Sequence, residues 1–340
     1  MRFGWRGRVG LLPGLIVSGA SLVLLLRNVE WNQLWAALER AEYWWLALSV
    51  VALLVAVAFK VLKWWLLVLP AGGASPRNLL YSLSVGYLVN TVLPGRLGEL
   101  ARAYLLARLE RVSLATALST VAVDRVLDVV VLAFMLAAAL PMAALPEWVV
   151  RSGLVVGGGG VGLLAACLLL AHPAGREALL RGLKASPRFP GRVAIERWVG
   201  ELCLGVEGLR GVGALIRVSA ASLAIWLSTV LVFYFGQQAF HLSPSIWPAV
   251  LVTATTSMGM VVPSSPGYVG VFHYLVVLSL TAFGVEREAA LGYAVVIHLV
   301  ETLSLGVMGV FSLWRCGLSL MGWREGAPDP EPAVPSGTER

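Results

Sequence analysis

The stretch Asn90-Thr91-Val92-Leu93-Pro94-Gly95-Arg96-Leu97-Gly98-Glu99-Leu100-Ala101-Arg102, NTVLPGRLGELAR, breaks an apolar segment with Pro-Gly and then places Arg96, Glu99 and Arg102 three residues apart. A helix arriving from residue 79 ends there, because proline lacks the N–H the helix needs and disfavours helical geometry in the residue before it. Interrupted backbone survives at membrane depth only where protein or a water-filled cavity satisfies its polar groups.

Membrane depth is the right frame. Of 340 residues, 58% are hydrophobic and 13% charged, against about 25% charged in soluble domains, and the mean hydropathy is +0.81. A spanning helix needs about 20 mostly apolar residues. Runs at 9–26, 44–69, 112–140, 153–171, 213–239 and 288–315 fit that length, whereas 79–93 and 246–262 are short and run into Pro-Gly breaks. The expected fold is an all-α polytopic membrane protein of about six full spans plus two re-entrant helical hairpins. The N-terminus is basic and then apolar but has no small-x-small cleavage site, so it is read as a retained first span. Residues 317–340, rich in Pro, Gly and Glu, are expected to form a disordered cytoplasmic tail. Cys167, Cys203 and Cys316 show no paired or metal-ligand spacing. The net charge of +7 is dispersed over loops, which fits anionic lipid headgroups and not a nucleic-acid reader.

Loop 172–212 carries Arg176, Arg181, Lys184, Arg188, Arg192, Arg197 and Arg210, and the N-terminal tip carries Arg2, Arg6 and Arg8. The positive-inside rule places both in the cytoplasm, with loops 27–43 and 141–152 outside. Threading then gives a first membrane repeat, 1–152, with spans 9–26, 44–69 and 112–140 and a re-entrant hairpin at 79–109. A second, 153–316, has spans 153–171, 213–239 and 288–315 and a re-entrant hairpin at 246–284. The order repeats with inverted topology. LPGRLGELARAYLL (93–106) resembles SPGYVGVFHYLVVL (265–278), with Pro-Gly-x-x-Gly in register at an offset of 172 residues. Inverted repeats with broken helices point to a transporter whose site lies near the bilayer midplane. A single Pro-Gly would read equally well as a surface loop between ordinary spans, but its recurrence in both halves weighs against that.

Around the breaks, Pro94, Gly95, Gly98, Pro266, Gly267 and Gly270 leave backbone open to close approach, and Asn90 closes the first half-helix. The helix restarting after Pro94 offers unpaired N–H groups to a phosphate or carboxylate, and Arg96 adds a donor fork. Arg96, Glu99 and Arg102 share a face, either as the wall of a headgroup vestibule, in which Glu99 restrains an arginine until an anion replaces it, or as a solvated interfacial stripe. Asp124 and Asp128 lie one turn apart, with Arg125 about 100° from Asp124. Mid-helix charges cost about 2.5–3.5 kcal/mol each on insertion scales. They read either as a buried Asp–Arg pair locking the packing, or as a gate at Asp124–Arg125 with Asp128 binding a proton or a headgroup amine. His298 and Glu301, three apart, either relay a proton or bond each other structurally. His273 and the Thr253-Ala254-Thr255-Thr256-Ser257 run could touch a headgroup, although such hydroxyls more often bond their own backbone. Lys60 and Lys63, before Trp64 and Trp65, read as snorkelling side chains with interfacial anchors. Gly157 to Gly160 reads as close helix packing, since no Walker lysine follows.

NTVLPGRLGELARAYLL, DRVLD (124–128), PSSPGYVGVFHY (263–274) and a late helix with a buried acid together resemble the lysylphosphatidylglycerol synthase transmembrane-region family, the flippase-like integral membrane proteins. The resemblance covers roughly residues 9–315. It implies a lipid-translocating membrane domain like the flippase half of multiple peptide resistance factors, with Arg96, Glu99, Arg102, Asp124, Arg125 and Asp128 at characteristic polar positions. Many members carry a glutamate where this chain has His273, a departure that bears on headgroup and coupling. Only a short tail follows residue 315, so lysyl-lipid synthesis is not expected.

The resulting expectation is a lipid flippase of the cytoplasmic (inner) membrane, with both termini in the cytoplasm. Its substrate would be a phospholipid or a lipid-linked phosphate held in a midplane cavity. Asn90, Pro94, Gly95, Arg96, Gly98, Glu99, Arg102, Pro266, Gly267, Gly270 and His273 would bind it, and Asp124, Arg125, Asp128, His298 and Glu301 would gate or couple. No cofactor, metal or nucleic acid is expected, and self-association stays open. The rival is an intramembrane lipid-phosphate transferase or phosphatase in which Asp124 and Asp128 hold Mg²⁺.

Overall fold

A computed structural model describes residues 31–93, 96–110, 112–143, 146–185, 200, 203–260 and 265–317. The expected span 9–26, the basic N-terminal tip, much of the second part of loop 172–212, Pro94, Gly95 and the tail beyond 317 lie outside them. The described residues are helical throughout, with no strand: α1 Trp31–Glu39, α2 Trp44–Val68, α3 Pro76–Val92, α4 Gly98–Leu109, α5 Leu114–Ala139, α6 Glu147–Ala171, α7 Pro173–Ala185, α8 Val212–Ala239, α9 Trp247–Gly259, α10 Val271–Thr281 and α11 Arg287–Arg315.

Local chemistry sets these limits. Gly72, with φ 111°, ends the 3₁₀ turn that extends α2, Pro76 opens α3, and the Ser113 hydroxyl accepts from the Thr116 N–H to cap α5. Helices α2, α6, α8 and α11 are long and apolar enough to cross a membrane. Helix α5 has the length, 26 residues, but carries Asp124, Arg125 and Asp128 at its middle. Helices α3 and α4, of 17 and 12 residues, are shorter than a bilayer is thick. Large apolar side chains such as Phe134, Val155, Val307 and Trp314 point outward, while the charges turn inward. That is the distribution expected of a multi-pass protein solvated by lipid.

Two expected loops contain helix. Residues 27–43 include α1, which packs on α11, and loop 172–212 opens with α7. Both are amphipathic and too short for a hydropathy window to register. The span expected at 153–171 begins at Glu147, directly after Pro146.

Antiparallel α2 and α8 form the centre. Ser49 donates to the Val232 carbonyl at 3.0 Å and Trp45 stacks on Phe235 near one end, while Leu67 meets Gly208 near the other. One apolar core joins α2, α3, α4 and α5 through Trp64, Leu83, Leu106 and Val121; another joins α8 to α11 through Phe233, Val252, Val276 and Tyr293. The two meet crosswise, α3 against α11 and α9 against α5. Gly153, Gly157 and Gly160 let α6 lie on Leu136, Ala133 and Val129 of α5, whereas Gly158 and Gly159 face open space.

The tightest crossing is within the α3–α4 hairpin. A Cβ on Gly98 would stand 2.6 Å from Asn90 Cγ and even closer to the Gly86 carbonyl. Gly98→Ala is therefore expected to cost about 1–3 kcal/mol by overpacking and to lower the thermal midpoint in detergent. Gly158→Ala, in open space, should leave the midpoint unchanged or slightly raised.

Candidate functional site

Helices α2, α4 and α5 converge on a buried charge network. Lys63 of α2 is fully buried between Asp124 and Asp128 of α5, with Nζ 2.6 Å from Asp128 Oδ1. Arg102 of α4 pairs with Asp124 at 2.8 Å and lies over the Trp64 ring. Lys60 stands 3.7 Å from Asp128 and over Trp226 of α8, whose indole N–H donates to the same carboxylate at 3.1 Å. Arg125 bridges Glu99 at 2.9 Å and Asp128 at 3.5 Å, and Arg96 approaches Glu99 at 3.7 Å.

This corrects the snorkelling reading of Lys60 and Lys63. The Trp64 indole is itself buried and donates to Thr120 at 3.0 Å, so it is no interfacial anchor. The pairing expected between Asp124 and Arg125 is also replaced: Asp124 binds Lys63 and Arg102, while Arg125 turns to Glu99. The missed signal was complementarity, since Lys60 and Lys63 lie one turn apart and so do Asp124 and Asp128.

Five cations thus meet three carboxylates, Glu99, Asp124 and Asp128. The core members are sealed, with Lys63, Arg102, Asp124 and Asp128 side chains at most 3% exposed. Lys60, Arg96 and Arg125 are 12%, 24% and 31% exposed and Glu99 is 17% exposed, so the accessible edge of the network holds three cations against one carboxylate. The Nε–H groups of Arg96, Arg102 and Arg125 are buried without an acceptor. Unsatisfied donors beside surplus positive charge suit an anion rich in acceptor oxygens.

Asn90 ties the hairpin together: its Oδ1 accepts the Gly98 N–H at 2.7 Å and its Nδ2 donates to Glu99 at 3.3 Å. That first helical N–H, expected to be free for a ligand, is therefore occupied. Arg96 lies before α4 with φ 56°, so only Glu99 and Arg102 are helical members of the expected stripe. Tyr268, in the turn before α10, has φ 59° and hydrogen-bonds Arg96. The second Pro-Gly turn meets the end of α3 here, with Gly267 against the Thr91 carbonyl.

Two adjoining cavities of about 170 and 160 Å³ lie between these groups and α8 to α11. The first is lined by Lys60, Trp226, Thr256 and Ser257, the second by Asn90, Thr91, Gly267, Tyr268 and His298; Tyr87, Met260, Phe272, Glu301 and Leu305 line both. Each is the size of a cavity that accepts benzene, about 150 Å³. His298 stacks on Phe272 and hydrogen-bonds the Gly267 backbone, and does not bond Glu301. His273 Nδ1 accepts the Gly270 N–H at 3.4 Å. Pro266 begins the turn that carries Gly267 and Tyr268. Thr253, Thr255 and Thr256 bond carbonyls of their own helix.

Removing Lys63 alone would leave two buried carboxylates short of a cation, which costs about 3–5 kcal/mol in comparable buried pairs. Lys63→Met is expected to abolish folded yield. Lys63→Met with Asp128→Asn should recover part of it, read as monodisperse protein after extraction, because Asp124 keeps Arg102.

The family model described as "Lysylphosphatidylglycerol synthase TM region" matches residues 11–309. No curated protein and no solved structure matches the chain. The family match spans the network, both turns and both cavities, and the chain belongs to the family of the lysylphosphatidylglycerol synthase transmembrane region.

Proposed function

We propose that the chain is a lipid flippase of the cytoplasmic membrane, moving a phospholipid or a lipid-linked phosphate while the acyl chains stay in the bilayer. The observation that carries this reading is the surplus of cations, three against the one carboxylate Glu99, at the accessible edge of a network that adjoins two cavities. Lys60, which lines the first cavity, would take the phosphate there, Arg96 and Arg125 would attract it from the exposed edge of the network, and the hydroxyls of Thr256 and Ser257 and the Tyr87 ring would line its path.

In this reading 9–26, α2, α5, α6, α8 and α11 are six spans, and α3–α4 and α9–α10 are re-entrant hairpins. The repeats are 1–152 and 153–316, with both termini in the cytoplasm. Several observations support the internal inversion. The offset of 172 residues carries α2 to α5 onto α8 to α11 in order, and Arg96 onto Tyr268, both in left-handed backbone. The corresponding helices α2 and α8 run antiparallel, and the contact of α3 with α11 has its counterpart in that of α9 with α5. The occupancy of Asp124 and Asp128 by Lys60, Lys63 and Arg102 supports transport over Mg²⁺-dependent chemistry, since a metal would have to displace three cations.

The test is translocation of fluorescent phospholipids and lipid-linked phosphates in liposomes holding the purified chain. Arg125→Ala and Lys60→Ala are expected to slow headgroup-selective movement by about tenfold or more, the loss of one charge-assisted contact, at matched folded amounts. Lipid chemically altered on addition of Mg²⁺, without movement, would sink the reading in favour of the enzyme.

A further inference from the structure

Glu301, half-buried, differs from the other inward-facing carboxylates Asp124, Asp128 and Glu99. Asp124, Asp128 and Glu99 each have a cation within 4 Å; Glu301, midway along α11, has neither a hydrogen bond nor an ion pair among the described residues, and lines both cavities. The ionisable groups around it are engaged elsewhere. Across the first cavity Lys60 of α2 is held by Asp128 and Trp226. On α11 itself, His298 is tied to the Gly267 backbone and the Tyr293 hydroxyl donates to the Phe233 carbonyl at 3.0 Å. From the α9–α10 side, Tyr268 bonds Arg96, and His273 lies edge-on to His298 while accepting from Gly270. From α3 comes only the Tyr87 phenol. None supplies a countercharge.

We propose that Glu301 is the proton site of the transport cavity, and that an anionic lipid headgroup and one proton occupy the cavity together. The proposal rests on the transport reading. A lone carboxylate at mid-membrane is disfavoured, and taking a proton removes the charge. A phosphate seated on Lys60, which lines the first cavity with Glu301, brings a second negative charge into the same space and disfavours the carboxylate further. Anion binding therefore promotes protonation, and by linkage protonation promotes anion binding by the same factor.

The step moves no electrons. An O–H bond forms at a Glu301 carboxylate oxygen with a proton from water on one side and breaks to water on the other, as one headgroup anion crosses. A singly charged anion with its proton is neutral, so a membrane potential does no work on the pair, while a pH gradient does. A metal ion is the poorer occupant, since no group of three or more His, Cys, Asp or Glu gathers among the described residues.

The full chain, in phosphatidylcholine liposomes with a trace of fluorescent phosphatidylglycerol, would be given a pH gradient or a potassium-diffusion potential separately. Infrared difference spectra between acid and alkaline pH would read the carboxyl group directly. The expected result is about tenfold lipid asymmetry per unit of pH gradient, none from potential, and a protonated-carboxyl band that vanishes in Glu301→Gln together with the gradient response. Glu301→Asp should restore both in part. A wild-type spectrum without such a band, a band unchanged in Glu301→Gln, or a gradient response kept by that variant overturns the proton site and leaves lipid movement standing. Wild-type protein that moves no lipid under any gradient overturns the transport reading and the coupling with it. If Glu301→Gln does not fold, the wild-type band and the Glu301→Asp variant decide.

Discussion

A lysine that lipid cannot solvate fixes this structure. Lys63 is fully buried, and an ammonium group there must find carboxylates or lose several kcal/mol. It finds Asp124 and Asp128, and those two recruit Arg102, Lys60, Arg125 and the Trp226 indole. Helices α2, α4, α5 and α8 are tied in one register by these contacts, and Arg125 extends the tie to Glu99. Buried ion pairs add little net stability compared with well-packed apolar groups. Their effect here is choice: among many ways to pack apolar helices in lipid, this one gives every charge of the network a partner.

The same network makes the cavities chemically lopsided. Asp124 and Asp128 face inward to Lys63 and Arg102, so the members left at the edge are Lys60, Arg96 and Arg125 with Glu99 between the two arginines. The residues after 212 bring to the cavities hydroxyls, aromatic rings, the imidazole of His298 and the single carboxylate of Glu301. In a cavity lined by one cation, Lys60, and one acid without a countercharge, Glu301, an anion and a proton each alter the electrostatic cost of the other.

Hydropathy made the long elements readable, since a 25-residue apolar helix such as α2 leaves little else for the chain to do. The Pro-Gly breaks located both turns, and the 172-residue offset paired Arg96 with Tyr268 before any contact between them was visible. Short amphipathic α1 and α7 were lost because their apolar residues are diluted in a long window. Lys60 and Lys63 were misread for a different reason. Beside Trp64 and Trp65 they match the local pattern of an interfacial anchor, and only depth and a partner more than sixty residues away distinguish the two cases. Arg125 was assigned to its sequence neighbour Asp124, although adjacent helical positions point in different directions and Glu99 lies on the side Arg125 faces.

The contact between the two turns differs in kind from the Lys63 cluster. Arg96 and Tyr268 hold left-handed backbone that costs a bulky residue about 1–2 kcal/mol, where glycine would sit without strain. The chain accepts that cost at both turns and sets the two side chains against each other, with Glu99 and the Gly267 backbone beside them. Hydrogen bonds among partly exposed groups can be exchanged for those of an incoming anion at little net cost, because each lost bond is replaced. Lys63 has no such alternative, since any anion reaching it would first have to displace two carboxylates from a sealed pocket. In the transport reading, therefore, the deep network keeps the helices in place while the cationic edge and the meeting turns can change partners.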